Sequence, residues 1–173
     1  MTREQLEHLV RAAAAVTNSY ELVVIGSQSL LGAVPDAPAS LRESMEADLY
    51  PLSAPALADL IDGAIGEGSA LHDHYGYYAQ GVGPDTAILP EGWQARLVRI
   101  QNTDLKVGLC LDPVDLVASK LAAGREKDFA FARTAIEAGL VPLRTLRERV
   151  ATLPVDDRTK QHLQGWTSRF VDN

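Results

Sequence analysis

The stretch SMEADLYPL, residues 44–52, decides how the chain is read. Met45, Ala47 and Leu49 share one parity, and Ser44, Glu46, Asp48 and Tyr50 share the other. Successive side chains of a β-strand point to opposite faces. The spacing therefore predicts two carboxylates side by side on one face, backed by an apolar face. Their bases stand roughly 6–7 Å apart, and like charges so placed repel unless something positive joins them. Taken alone, the pair has two readings. It is a solvated strand face, or it is a ledge for one divalent cation. Magnesium takes oxygen ligands, keeps several waters and is usually held by one or two carboxylates plus substrate phosphates.

Upstream, Thr2 and Gln5 form a capping box for a helix over about 3–17, whose apolar stripe is Leu6, Leu9, Val10, Ala13 and Ala14. ELVVIG (21–26) follows as a short strand, and SQSLLGAV (27–34) as a short helix with Ser27 as its N-cap. Downstream, Pro55 to Ile65 reads as a helix capped by Ser53, and GEGSALHDHYGYYAQGVGPD (66–85) as a long functional loop or irregular turn region. TAIL (86–89), QARLVRI (94–100) and LKVGLCL (105–111) are strand candidates, the last two joined by a turn at Asn102-Thr103-Asp104. Asp112 as N-cap and Pro113 at the first helical position open a helix that runs to Gly139, with Gly124 a point of division. Two more helices follow.

The 173 residues suit a single domain with its own core, and 46% hydrophobic and 23% charged residues are ordinary for a globular protein. The expected architecture is α/β (α+β): a mixed sheet with flanking helices over about 20–130 and a helical tail over about 131–173. No apolar run approaches the ~20 residues of a membrane span, and Glu4, Glu7 and His8 interrupt any signal-peptide core. The single cysteine, Cys110, excludes an intramolecular disulfide and suits a reducing compartment, so a cytoplasmic protein is expected. Sixteen basic against 23 acidic residues give a formal charge of −7, which argues against broad coating of nucleic acid but not against a local basic patch.

Three further groups bear on chemistry. A strand ending in Gly26-Ser27 presents backbone N–H groups at a helix start, where phosphate binds, although such a pair also serves as a plain turn. Lys120 lies about 60° from Val117, at the margin of the buried stripe of its helix, and Arg125, Lys127 and Asp128 follow it in a compact basic patch with one acid. His72 and His74 lack the further ligands that would specify zinc, and Tyr75, Tyr77 and Tyr78 either pack the loop or stack on a base.

The combination is more specific than its parts. The Gly26-Ser27 turn, the Ser44-x-Glu46-x-Asp48 strand and the later helix carrying Lys120, Arg125, Lys127 and Asp128 resemble the nucleotidyltransferase superfamily with a polymerase-beta-like palm. The likeness covers about residues 20–130. Within that superfamily it looks like the bacterial branch that includes the AbiEii and MenT-type toxins. The resemblance implies that Gly26 and Ser27 hold the triphosphate of a nucleoside triphosphate, and that Glu46 and Asp48 hold magnesium, with manganese as a substitute. It implies that Lys120, with Arg125 and Lys127, contacts the nucleotide, and that Asp128 orients Lys120 or Arg125. Ser44 takes the Ser/Thr position beside the metal. The acceptor would be an RNA such as tRNA, or a protein, and an antitoxin would be a partner. Two features depart from the pattern: Glu46 stands where Asp is usual, and no third carboxylate appears on a later strand. Those departures leave a second reading open, a nucleotide-binding module without transfer activity.

Overall fold

A computed structural model describes residues 1–101 and 106–171. Five strands form one mixed sheet among the described residues: β1 (Glu21–Ile25), β2 (Glu46–Pro51), β3 (Tyr78–Gly81), β4 (Val98–Gln101) and β5 (Val107–Cys110), in the order β3-β2-β1-β5-β4. β1 pairs antiparallel with β2 and parallel with β5; β2 and β3 run parallel, and β4 and β5 antiparallel. The helices are α1 (Arg3–Val16), α2 (Asp59–Ile65), α3 (Ala70–Tyr75), α4 (Pro113–Ala123), α5 (Glu126–Glu137), α6 (Leu143–Ala151) and α7 (Asp157–Thr167). The architecture is α+β, as the alternation of patterns predicts.

Strand parity sorts the core into two layers. Leu22, Val24, Ala47, Leu49, Ala79 and Cys110 face α1 and α2. Val23, Ile25, Tyr50, Val107 and Leu109 face the other way, against α4, α5, α6 and α7. The alternation in SMEADLY is therefore real: Tyr50 is buried on the α4 side, and Glu46 and Asp48 share its parity. The capping box of Thr2 and Gln5 forms, as does the Asp112 cap, whose carboxylate accepts from the Val114 amide at 2.9 Å. Cys110 is buried, and burial pushes its thiol up to about 12, which leaves it an inert packing group.

Several expectations need correction. The segment 66–85 is not a structureless loop. Ser69 accepts from the His72 amide and starts α3, Gly76 ends it in the left-handed conformation, and β3 follows as the edge strand beside β2. TAIL is not a strand; its apolar residues Ala87 and Ile88 line a cleft instead. QARLVRI yields strand only from Val98, because Trp93–Arg96 forms a 3-10 turn. Ser53 caps nothing: Pro55–Leu57 is a 3-10 turn, and α2 begins at Asp59 without a side-chain cap. Gly124 does divide the long helix, its φ of +72° ending α4 in the left-handed conformation. The turn at Asn102-Thr103-Asp104 lies outside the described residues.

One buried ion pair ties the helical layer to the segment after β3. Asp115, fully buried on α4, accepts from Arg96 Nε at 2.7 Å and from its second nitrogen at 3.0 Å, and Arg149 of α6 lies 3.2 Å away. Arg96 also donates to the Glu91 carbonyl, so the segment that leads from the cleft wall to β4 is fixed on α4. Removing one partner of such a network strands the others without compensation. Asp115→Ala is expected to lower stability by about 3 kcal/mol or more, read from the midpoint of urea unfolding at constant slope.

Candidate active site

Glu46 and Asp48 line one cleft of about 510 Å³, together with Gly26, Gln80, Ser119, Lys120 and Arg125. β2 supplies the acids, the end of β1 supplies Gly26, and α4 with its turn into α5 supplies the cations. Val82, Ala87, Ile88 and Leu116 give the cleft an apolar wall. The two carboxyls are close enough to hydrogen-bond to each other. Burial, then the hydrogen bond and charge of Glu46, push the Asp48 carboxyl up to about 7, against the pull of Lys120 and Arg125.

Gly26 has a more specific role than a phosphate turn predicts. Its φ is +69°, and a Cβ built there would stand 2.1 Å from Asp48 Oδ2. Glycine is required both by the backbone and by the neighbouring carboxylate. Ser27 is not an N-cap. It is the first residue of a six-residue 3-10 helix, Ser27–Gly32, with Gly26 in the cap position; the hydroxyl that bonds locally is that of Ser29, donating to the Gly26 carbonyl at 2.8 Å. A helix this short and tight offers little dipole for phosphate, so the argument from an α-helix N-terminus loses its force here.

A second cleft, of about 460 Å³, adjoins the first across Lys120. Ser27, Ser40, Ser44, Thr134, Lys127, Asp128 and Phe131 line it. Ser44 thus faces this cleft rather than the acid pair. Its hydroxyl donates to the Glu46 carbonyl and accepts from the Glu46 amide, fixing the entry into β2. Lys127 is exposed at the mouth.

Asp128 organises the cations. Its buried carboxylate lies 3.3 Å from Lys120 Nζ and accepts from Arg125 Nε at 2.5 Å. Burial alone would raise the Asp128 carboxyl; the hydrogen bond from Arg125 and the charge of Lys120 outweigh it and hold the group below the usual carboxylate range. The reach comes from the break at Gly124, which folds α5 back onto α4, not from a continuous helix. Lys120 also lies over the Phe131 ring at 5.5 Å, and its side chain is only 14% exposed.

Sequence reasoning read Tyr78 only as a residue that packs the loop or stacks on a base, and did not single out Gln80. Both lie on β3, beside β2, and Tyr78 pairs with Glu46 in the register. The Tyr78 hydroxyl donates to Glu46 Oε2 at 3.1 Å. Burial, then the charge of Glu46, push that hydroxyl up to about 12, so it is a donor at neutral pH. The other tyrosines pack: His8 on α1 meets the Tyr77 hydroxyl at 2.7 Å and the Tyr75 ring edge-on.

The donor set suits magnesium. Among the described residues no cluster of three or more His, Cys, Asp or Glu side chains could hold a metal ion, and His72 and His74 engage tyrosine rings instead. Glu46 and Asp48 remain as two hard oxygen donors in a cleft open to water and phosphate. That complement matches an ion bound through one or two carboxylates plus its substrate. A cation there would offset the charge of Glu46 that, after burial, raises the Asp48 carboxyl.

The sequence matches, over residues 4–166, the model of a family described as a nucleotidyltransferase of unknown function (DUF6036). The match covers nearly the whole chain, and the protein belongs to that family. It supports the nucleotidyltransferase superfamily and does not bear on the AbiEii and MenT branch. No curated protein and no solved structure matches the chain.

The metal-free pair has a stability signature. Between pH 4 and 7 the native Asp48 keeps a proton that the unfolded chain has lost, so this group's contribution falls as pH rises through that window and is lowest above pH 7. Asp48→Asn removes that slope. In the absence of divalent ions it is expected to be more stable than wild type at pH 8 by a few kcal/mol, and about equal at pH 4, in urea titrations at both pH values. At Gly26, an alanine is expected to cost about 2 kcal/mol in the same assay, from the positive φ and the clash with Asp48.

Proposed function

We propose that the protein transfers a nucleotidyl group from a nucleoside triphosphate to an acceptor hydroxyl, with magnesium held by Glu46 and Asp48. In this reaction the acceptor hydroxyl gives its proton to water, its oxygen bonds to the α-phosphorus, the bond from that phosphorus to the α,β-bridging oxygen breaks, and pyrophosphate leaves. The observation that carries the reading is the meeting, in one cleft, of two adjacent carboxylates with Lys120 and Arg125. Phosphoryl chemistry of this kind needs positioning and charge neutralisation more than a covalent nucleophile, and the described residues that line the cleft include no Cys or His. Glu46 and Asp48 would hold the magnesium, which would offset the charge that develops on the phosphate oxygens.

The chain's own residues divide the work. Lys120 borders both clefts, and Asp128 holds its ammonium in place. The second cleft, with Lys127 and the hydroxyl of Ser27, suits the phosphate tail. The apolar wall of Val82, Ala87 and Ile88 suits a nucleobase. The acceptor is an RNA, with tRNA the foremost candidate, or a protein hydroxyl, approaching past the cations Arg125 and Lys127. Membership of a toxin–antitoxin pair, with an antitoxin partner in the cytoplasm, belongs to the same proposal and rests on the motif resemblance alone.

A specific observation favours a second reading, a nucleotide-binding module without turnover: only two carboxylates reach the first cleft among the described residues. Asp112 and Asp115, the nearest acids in sequence beyond the strands, are committed to a helix cap and a buried ion pair. Incubation with each labelled nucleoside triphosphate, magnesium, total RNA and total protein separates the two. Transfer of label that falls at least about a hundredfold in both Glu46→Ala and Lys120→Ala is the expected result. Nucleotide binding with no transfer to any acceptor supports the module. Transfer that survives in Glu46→Ala contradicts the site assignment.

A further inference from the structure

Glu46 carries one methylene more than aspartate and so has an additional rotor to fix before it can serve as a ligand. The outer side of its carboxylate borders a small polar cleft lined by Asp62, Glu67, Tyr78 and Gln80. Asp62 is occupied there, accepting from the Gly81 amide at 2.8 Å. In that acidic surrounding the Tyr78 hydroxyl is the donor that reaches Glu46, and it comes from the residue directly beside Glu46 in the parallel β2–β3 register.

Tyr78 is itself held. The His72 ring lies against its ring with centroids 4.7 Å apart. His72 is fixed in turn by the Gly68 amide, which donates to Nδ1 at 3.0 Å, and by its own amide, which donates to Ser69 Oγ. The Gly- and Tyr-rich segment therefore forms a continuous support that ends on one carboxylate oxygen.

We infer that Tyr78 is a positioning residue for Glu46. Its hydroxyl holds the longer side chain in the orientation that lets it share a divalent cation with Asp48. The inference rests on the proposed metal role of Glu46 and Asp48 and adds to it the reason a glutamate works at this position. Partners that orient a metal-binding carboxylate typically affect metal affinity ten- to a hundredfold.

The test is direct titration of the purified protein with Mn²⁺, followed by electron paramagnetic resonance of the free ion, alongside thermal unfolding without metal. Tyr78→Phe keeps the ring and its contact with His72 and removes only the hydroxyl. It is expected to weaken Mn²⁺ binding about tenfold while leaving the metal-free melting temperature within about two degrees of wild type. On a Glu46→Asp background the shorter side chain draws the carboxylate away from the hydroxyl, and Tyr78→Phe is expected to change affinity less than about twofold. Wild-type Mn²⁺ affinity in Tyr78→Phe overturns the inference. So does a tenfold loss that persists unchanged on the Glu46→Asp background, because Tyr78 would then act through something other than Glu46. Glu46→Ala separates this failure from that of the parent reading. If Glu46→Ala binds Mn²⁺ as wild type does, the metal assignment falls and the inference with it; if it loses binding while Tyr78→Phe does not, only the inference falls.

Discussion

Two half-buried carboxyls side by side on one face of β2 impose the constraint around which this protein is arranged. Asp48 would be an ordinary acid on a solvated strand. Here burial and the proximity of Glu46 raise it to about 7, so the pair is held in a state that costs the fold stability at neutral pH. The neighbouring elements are shaped to tolerate it. β1 is followed by a glycine, Gly26, because a side chain there would overlap Asp48. α4 brings Lys120 to the same cleft, and β3 brings a hydroxyl to Glu46. A site that is locally unfavourable and so consistently accommodated is a common mark of function.

The rest of the molecule supplies the rigidity this arrangement needs. The sheet is filled on both faces, by α1 and α2 on one side and by α4 to α7 on the other. The break at Gly124 is as important as any strand. It turns α5 so that Asp128 can reach back to Lys120, which holds the ammonium where the two clefts meet. The buried Asp115 does comparable work at the other wall, where Arg96 ties the segment before β4 onto α4. Two ion pairs thus anchor the two sides of the cleft to one helix.

Much of this was legible in the sequence, and the misses have physical causes. A period of two is a strong signal, so the shared face of Glu46 and Asp48 could be read directly from SMEADLY. The caps at Thr2 and Asp112 were equally plain. The segment 66–85 was not, because α3 has only six residues and β3 only four, too short for either periodicity to accumulate. TAIL failed for the opposite reason: its apolar run imitates a strand, but those residues wall a cleft. The contact of Tyr78 with Glu46 was invisible because the two lie 32 positions apart and it depends on β3 being a strand at all. Gly26 was singled out for a generic reason, the close approach of a ligand, and only the fold shows that Asp48 fills the space its side chain would occupy. The motif resemblance joined Lys120 and Asp128 before the fold did, and the family match over residues 4–166 agrees with the superfamily it implied.

The central claim is that Glu46 and Asp48 hold one divalent cation at a nucleotide site. The most direct measurement is a crystal structure grown with Mn²⁺ and a non-hydrolysable nucleoside triphosphate, with data collected at the manganese edge. The account predicts an anomalous peak within ligand distance of both carboxylates, with the phosphate tail beside Lys120. A peak elsewhere, or a nucleotide bound away from β2 with no metal at this pair, would contradict it.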